Sequence, residues 1–332
     1  MVGSMAEAAK GARGWIMFEL SSFMIPWDSI FGFFSVRSIL ATIALFFLVV
    51  AIRKRLVVGD PYCTEGVFWR GLLVTGICSI IAVLVFQSVA NFAFTSAVST
   101  EDPIKMLHRG HMMAHHSKPA LAILFLTLLI GGGYAFSMID TSLFTHMISC
   151  TVGIGVLEEA CKCGAALMVF SYYYRRRGVK MSLSPFVIAG LGFGGGEALH
   201  YFSTFNQAGD GFLVYLMRAW WCVPLHLAWT LAGGSLIVRR FSGVPDVGSF
   251  KGDQWWALLA CLVPPIVLHG VYDAFCFHNN PLSYLVGVGT LIWGFAIFAR
   301  SAVKKMSWWH WFLLLTVASW LIRGCDAVLR SV

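Results

Sequence analysis

Charged residues are scarce in this chain. Asp, Glu, Lys and Arg make up 12% of its 332 residues, against about one-quarter in soluble globular proteins. Hydrophobic residues make up 58%, and the mean hydropathy is +0.76, so a soluble fold is excluded. The net charge of +8 predicts no nucleic-acid partner, because Lys and Arg form short clusters at the ends of apolar runs, where they mark cytoplasmic membrane boundaries.

Several other signals are also missing. The nine cysteines are odd in number and follow no regular spacing, which argues against a disulfide framework and favours small buried hydrophobic residues. The first 35 residues lack a short apolar stretch followed by a small-residue cleavage site, so we expect no removable signal peptide. The sequence shows neither an internal repeat nor a low-complexity linker. These absences favour one continuous domain.

The chain contains instead a series of apolar runs of about 20 residues, the length that spans a bilayer. They predict an all-α fold, a polytopic transmembrane helix bundle of about 8 to 9 spans, in an integral multi-pass membrane protein whose surroundings are the lipid bilayer. The bundle is expected at 34–323, after an N-terminal cytoplasmic or interfacial segment at 1–33 and before a C-terminal tail at 324–332, with the motif-bearing core at 147–277. The candidate spans lie near 34–52, 71–95, 119–138, 147–174, 184–205, 212–237, 255–277, 282–299 and 307–323.

Ionisable residues occur inside these spans despite their cost, which is about 2.5 to 3.5 kcal/mol each on insertion scales. Such residues usually mark a functional site. In chain order they are Glu158, Glu159, Lys162, Glu197, Arg218, His226, His269 and Asp273.

Four of these residues lie at one depth. Counted from the charged or polar residue that marks the cytoplasmic end of each span, Glu159 lies 16 residues inside, Glu197 and His226 13 each, and His269 15. At about 1.5 Å per residue these counts give roughly 20 to 24 Å in every case. The common depth predicts a shared polar cavity inside the bundle. Asp273 lies about one turn deeper than His269.

Glycines and prolines adjoin the polar residues. Five glycines in the segment 190–196 come directly before Glu197 and would let neighbouring helices approach closely. Pro224 lies two residues before His226, and a proline pair precedes His269. Both histidines are therefore expected just after helix kinks, where freed carbonyl groups can line a cavity.

A purely structural interpretation also exists. In it one of the glutamates pairs with Lys162, Asp273 pairs with His269, and the network serves helix packing alone. Three carboxylates and two histidines at one depth favour function over that interpretation. Lys162 and Arg218 are interpreted as structural counter-charges.

The polar residues resemble the motifs of the PrsW family of membrane proteases, within the superfamily that includes CAAX-prenyl endopeptidases and bacteriocin-processing enzymes. Ala198 departs from the family, which often has Asn there. The resemblance covers about 150–277. It rests on Glu158-Glu159-Ala160-Cys161-Lys162 for Glu-Glu-x-x-Lys, Phe193 to Glu197 for Phe-x-x-x-Glu, His269 to Asp273 for His-x-x-x-Asp, and on Arg218 and Pro224 to Thr230.

The resemblance implies an intramembrane endopeptidase acting on membrane-associated protein substrates. Two mechanisms stay open. In one, Glu158 or Glu159 is the general base on a water, while His226 or His269 orients the water or donates to the oxyanion. In the other, a divalent metal such as zinc activates the water. The expected catalytic residues are Glu158, Glu159, Glu197, His226, His269 and Asp273, and the candidate metal ligands are Glu159, Glu197, His226 and His269.

Two further classes of function use the same residue types. A proton- or ion-coupled transporter would need a relay of intramembrane Glu, His and Asp, but the inverted repeats common in transporters are absent from the sequence. A non-catalytic scaffold, related to the multispanning gamma-secretase subunit, would keep the histidines without turnover. A separate group, His108, His111, His115 and His116, is interpreted as part of a solvated interfacial helix.

Overall fold

The computed structural model describes residues 49–50, 52–54, 60, 62–99, 118–138, 142–174, 181–207, 211–241, 250–278 and 280–302. Within these ranges every regular element is helical and none is a strand, which confirms the predicted all-α class. Most of the predicted span at 34–52, the span at 307–323, both terminal segments and the histidines at 108–116 lie outside the described residues.

The described helices follow the seven predicted runs between 71 and 299 to within a few residues at most boundaries. A π-helical turn, Thr151–Gly155, joins α3 to α4, and a second, Phe170–Tyr174, extends α4. The helices are α1 (Glu65–Ser99), α2 (Lys118–Ser137), α3 (Leu143–Cys150), α4 (Val156–Val169), α5 (Ser184–Gln207), α6 (Gly211–Phe241), α7 (Gly252–Phe277) and α8 (Leu282–Ala302).

Three of the described helices contain segments long and apolar enough to cross a membrane, namely Glu65–Phe86, Trp221–Phe241 and Gly252–Phe277. Leu126–Ser137 and Leu282–Gly294 are shorter apolar helical segments. Large apolar side chains on these helices point outward, as expected for contact with lipid: Leu73 is 64% exposed and Trp256 74%. The total of 8 to 9 spans stays a prediction.

The chain divides into two compact units. The described part of the first unit lies within 79–161 and 265–283, and that of the second within 49–78, 162–264 and 284–302.

In the first unit, close backbone contacts fix the π-helical turn Thr151–Gly155. A Cβ atom added at Gly155 would lie 2.5 Å from the carbonyl oxygen of Ile266, and one added at Gly270 would lie 2.3 Å from Thr151 Cα. Any larger residue at these positions would force the backbones apart. The C-terminal half of α7 therefore packs directly on the turn that precedes Glu158.

In the second unit, α5 packs against α6 through its glycines. A Cβ atom added at Gly190 would lie 2.9 Å from Leu227 Cα, and one added at Gly194 would lie 2.9 Å from Val223 Cα. These two glycines are four residues apart and share one face of α5. The contact confirms the close approach that the glycine-rich segment predicts, and it places Glu197 beside the part of α6 that carries His226.

Candidate active site

The first unit contains three carboxylates around one imidazole, which we call the carboxylate cluster: Glu158, Glu159, His269 and the partly exposed Asp273. Glu159 and His269 are each 2% exposed, and Glu158 is 7% exposed. Nδ1 of His269 lies 3.0 Å from Glu159 Oε1. Nε2 of the same ring lies 3.5 Å from Glu158 Oε2 and 3.4 Å from Asp273 Oδ2.

Two helices supply this cluster. Glu158 and Glu159 stand in the first turn of α4, directly after the π-helical turn, and such turns often occur at functional sites. His269 and Asp273 are four residues apart on α7 and therefore share a face. The glycine contacts of the first unit bring these faces together.

The hydrogen bond to Glu159 sets the tautomer of His269. An ionised carboxylate only accepts hydrogen bonds, so when Glu159 is ionised Nδ1 carries the proton and donates it to Glu159. In a neutral ring Nε2 then presents its lone pair toward Glu158 and Asp273. A carboxylate that orients a histidine through Nδ1 is the usual support of a metal-binding imidazole.

The spacing of the remaining donor atoms suits a metal ion. Ligand atoms at 2.0 to 2.2 Å from a tetrahedral zinc lie about 3.3 to 3.6 Å apart. The distances from His269 Nε2 to Glu158 Oε2, 3.5 Å, and to Asp273 Oδ2, 3.4 Å, fall in that range and exceed the usual 2.7 to 3.2 Å of an N–H···O hydrogen bond. One imidazole nitrogen facing carboxylate oxygens is a donor set that zinc accepts.

The second unit contains a different polar group, which we call the lysine–histidine cluster: Lys162, Phe193, Glu197, His226 and Trp229. Nζ of Lys162 lies 2.8 Å from His226 Nδ1, and Nε2 of His226 is hydrogen-bonded to Glu197 Oε2. Lys162 is fully buried, 4.5 Å from the centroid of the Phe193 ring and 5.5 Å from that of Trp229.

Helix periodicity assembles the lysine–histidine cluster. Phe193 and Glu197 are four residues apart on α5, and His226 and Trp229 three apart on α6, so each pair shares a face. Their rings are in contact, since the His226 centroid lies 5.0 Å from that of Phe193 and 5.3 Å from that of Trp229. The hydroxyl of Thr230 donates to the carbonyl of His226 at 2.7 Å.

The structure groups the predicted catalytic residues in two sets. The carboxylate cluster holds four of the six, including the predicted pairing of Asp273 with His269, and the lysine–histidine cluster holds Glu197 and His226. The sequence motifs do not predict the contact between Lys162 and His226. The available signal was Trp229, which shares a helix face with His226 and indicates an aromatic wall for a buried cation. The side chain of Arg218 lies outside the described residues.

The family model for PrsW family intramembrane metalloproteases matches residues 66–303, well over half of the chain. No curated protein and no solved structure matches the chain. A match of this extent defines the class of the chain, a membrane-embedded peptide hydrolase. The chain belongs to the PrsW family of intramembrane metalloproteases. The family resemblance and the membrane location predicted from the sequence are thereby confirmed, and a protease is favoured over a transporter or a scaffold.

Proposed function

We propose that this protein is a multi-pass endopeptidase of about 8 to 9 spans that hydrolyses peptide bonds of membrane-associated protein substrates. The observation that carries the proposal is the carboxylate cluster, in which Glu158, Glu159 and His269 are buried together. Burying several carboxylates is costly unless they are paired or functional. The wider relationship to CAAX-prenyl endopeptidases and bacteriocin-processing enzymes rests on the motif resemblance alone.

Different residues of the cluster have different proposed roles. Glu159 orients His269 through the 3.0 Å contact to Nδ1. Glu158 is then the better candidate for the general base, because its Oε2 faces the other ring nitrogen at 3.5 Å, on the side where a water would be activated. Asp273 lies 3.4 Å from the same nitrogen and would donate to it when protonated. After attack, Glu158 would return the proton to the leaving amine.

The family is a metalloprotease family, and the donor set of the carboxylate cluster fits a divalent metal. We propose zinc, with His269 Nε2 as a ligand and the remaining ligands drawn from the candidates predicted by common depth, Glu159, Glu197 and His226. When bound, the metal would lower the pKa of a water and polarise the scissile carbonyl.

The metal is tested by removal and reconstitution of the purified protein in lipid bilayers. Chelation should abolish cleavage of a membrane peptide substrate, and stoichiometric zinc should restore it. The variant Asp253→Asn, at an exposed position in the first turn of α7, serves as the matched control and should respond to chelation and zinc as the native protein does. Cleavage that survives rigorous chelation would exclude the metal mechanism and leave the glutamate mechanism.

The substrate class is tested by a proteomic comparison of membrane fractions from cells carrying the native protein or Glu158→Gln. Uncut membrane proteins should accumulate only with the variant. Identical membrane proteomes, with the variant folded and inserted, would contradict an endopeptidase function.

A further inference from the structure

In the second unit, three aromatic rings connect the ends of two helices that contain membrane-spanning segments. The apolar segment of α6 ends at Phe241, and that of α7 begins at Gly252. The Phe250 ring stacks on that of Phe241, with centroids 4.7 Å apart, and meets the Trp255 ring edge-to-face at 5.4 Å. The three rings therefore hold the C-terminal end of α6 against the first turn of α7.

Cations flank this aromatic junction on both helices. Arg239 and Arg240 stand in the last turn of α6, and Lys251 comes directly before α7. All three side chains are exposed. Among the described residues at the junction, Asp253 is the one acidic group, and it is exposed as well. The junction thus gathers three positive charges against one negative charge at one end of the unit.

The helix dipoles account for only part of this charge. A cation in the last turn of a helix interacts favourably with the dipole, which suits Arg239 and Arg240. Lys251 is placed differently, because its carbonyl oxygen accepts from the backbone N–H groups of Gln254 and Trp255 at 3.0 and 3.2 Å and so begins α7. The positive end of the α7 dipole disfavours a cation there. An anion bound at this junction would offset that cost.

Two tryptophans lie beside the cations. Trp255 is 47% exposed and Trp256 74%. An indole ring favours the boundary between hydrocarbon and headgroups, because its body is apolar while its N–H needs a polar partner. We call the exposed set the basic–aromatic patch: Arg239, Arg240, Lys251, Trp255 and Trp256.

We propose that the basic–aromatic patch binds the headgroup of an anionic phospholipid in the cytoplasmic leaflet. The patch lies where two apolar segments end, which is the depth of lipid headgroups. The surface of the cytoplasmic leaflet is negative, and guanidinium groups match the geometry of a phosphate. The proposal goes beyond proteolysis, since no residue of the patch belongs to the carboxylate cluster or the lysine–histidine cluster.

Binding is measured by native mass spectrometry of the purified full chain in neutral detergent, with phosphatidylglycerol and phosphatidylcholine of equal chain length. We expect the first phosphatidylglycerol to bind about 10-fold more tightly than phosphatidylcholine. Replacing both Arg239 and Arg240 by Gln should weaken phosphatidylglycerol binding about 25-fold, at about 5-fold for each cation, and leave phosphatidylcholine binding unchanged. Equal affinity of the native protein for the two lipids would overturn the proposal.

The matched control is Arg70→Gln, which removes the same charge from an exposed position on α1 and should keep native affinity. A loss with Arg70→Gln as large as with Arg239→Gln alone would show that surface charge in general attracts the lipid, which contradicts a specific patch. Replacing both Arg239 and Arg240 by Lys keeps the charge, so this variant should retain most of the preference for phosphatidylglycerol.

Two further measurements test the lipid itself as the ligand. Trp256→Ala should weaken the binding of both lipids by a similar factor, because the indole contacts the interface and not the charge. Glycerophosphoglycerol, the headgroup without acyl chains, should fail to displace phosphatidylglycerol at equal concentration. Unchanged binding in Trp256→Ala, or full displacement by the free headgroup, would overturn a lipid site. These measurements involve no cleavage, so their outcome is independent of the protease function.

Discussion

The two polar clusters contain one histidine each, and the two imidazoles have different neighbours at their ring nitrogens. Nδ1 of His269 contacts Glu159, and its Nε2 faces Glu158 and Asp273. Nδ1 of His226 contacts Lys162, and its Nε2 contacts Glu197. The same residue type therefore lies among carboxylates in one cluster and between a lysine and a glutamate in the other.

The clusters also differ in charge. With neutral histidines, the three carboxylates of the carboxylate cluster sum to −3, whereas Lys162 and Glu197 of the lysine–histidine cluster sum to zero. Buried like charges repel strongly in a low-dielectric interior, so the carboxylate cluster needs protons or a cation. The negative charge is consistent with the proposal that His269 is one ligand of a divalent metal.

The largest effect is expected in the carboxylate cluster. Glu158→Gln should lower kcat by about 10² to 10⁴, because an amide cannot act as a general base. Glu159→Gln keeps a hydrogen-bond acceptor for His269 but loses the charge, so its effect should be smaller. Cleavage of a membrane peptide by each purified variant is the measurement, with Asp253→Asn as the exposed control. If Glu159→Gln were less active than Glu158→Gln, Glu159 would be the general base and Glu158 the residue that orients His269.

Much of this fold and site follows from sequence pattern. The apolar runs predict the helices, and intervals such as Phe193 to Glu197 or His269 to Asp273 predict which side chains share a face. Contacts between helices are harder to predict, because helix rotation and side-chain rotamers decide them. Lys162 could therefore be expected to pair with a glutamate from its spacing, and its contact with His226 became visible only with the packing of α4 on α6.

The two units offer a matched test of the glycines that position each cluster. Gly155→Ala in the first unit and Gly194→Ala in the second place a Cβ atom 2.5 Å and 2.9 Å from neighbouring backbone atoms. Each should lower the free energy of unfolding by about 1 to 3 kcal/mol and reduce cleavage. Thermal unfolding in detergent and kcat are the measurements.

The controls are Gly164→Ala and Gly195→Ala, since a Cβ atom at either position would meet nothing within 4 Å. Both lie in helices, so alanine should be neutral or stabilising by up to about 1 kcal/mol. Destabilisation by the controls as large as that by Gly155→Ala and Gly194→Ala would show that the close helix contacts do not hold the clusters in place.

A smaller effect is expected at the N-terminus of α5, in the second unit. The hydroxyl groups of Ser182 and Ser184 donate to Asp60 Oδ2 at 3.1 and 2.5 Å, which places a carboxylate at the N-terminus of that helix. Asp60→Asn keeps the shape and loses the charge, and should cost about 0.3 to 1 kcal/mol of stability. Thermal unfolding is the measurement. An unchanged unfolding temperature together with unchanged kcat would show that this contact does not help to position α5.

The smallest effect concerns the thiol of Cys63, a buried ionisable group of the second unit. Burial raises the pKa of the Cys63 thiol to about 11, the hydrogen bond with Tyr174 opposes the rise, and the nearby Asp60 carboxylate adds to it. Because a raised pKa favours the neutral thiol, on the order of one thiolate in 300 exists at pH 8.5.

Alkylation of a variant that keeps Cys63 alone should therefore accelerate about 10-fold per pH unit up to about pH 11. Tyr62→Cys, in a chain without other cysteines, is the control, since position 62 is 42% exposed, and its rate should level off at lower pH. If Cys63 levelled off with the control, burial would not suppress ionisation of this thiol.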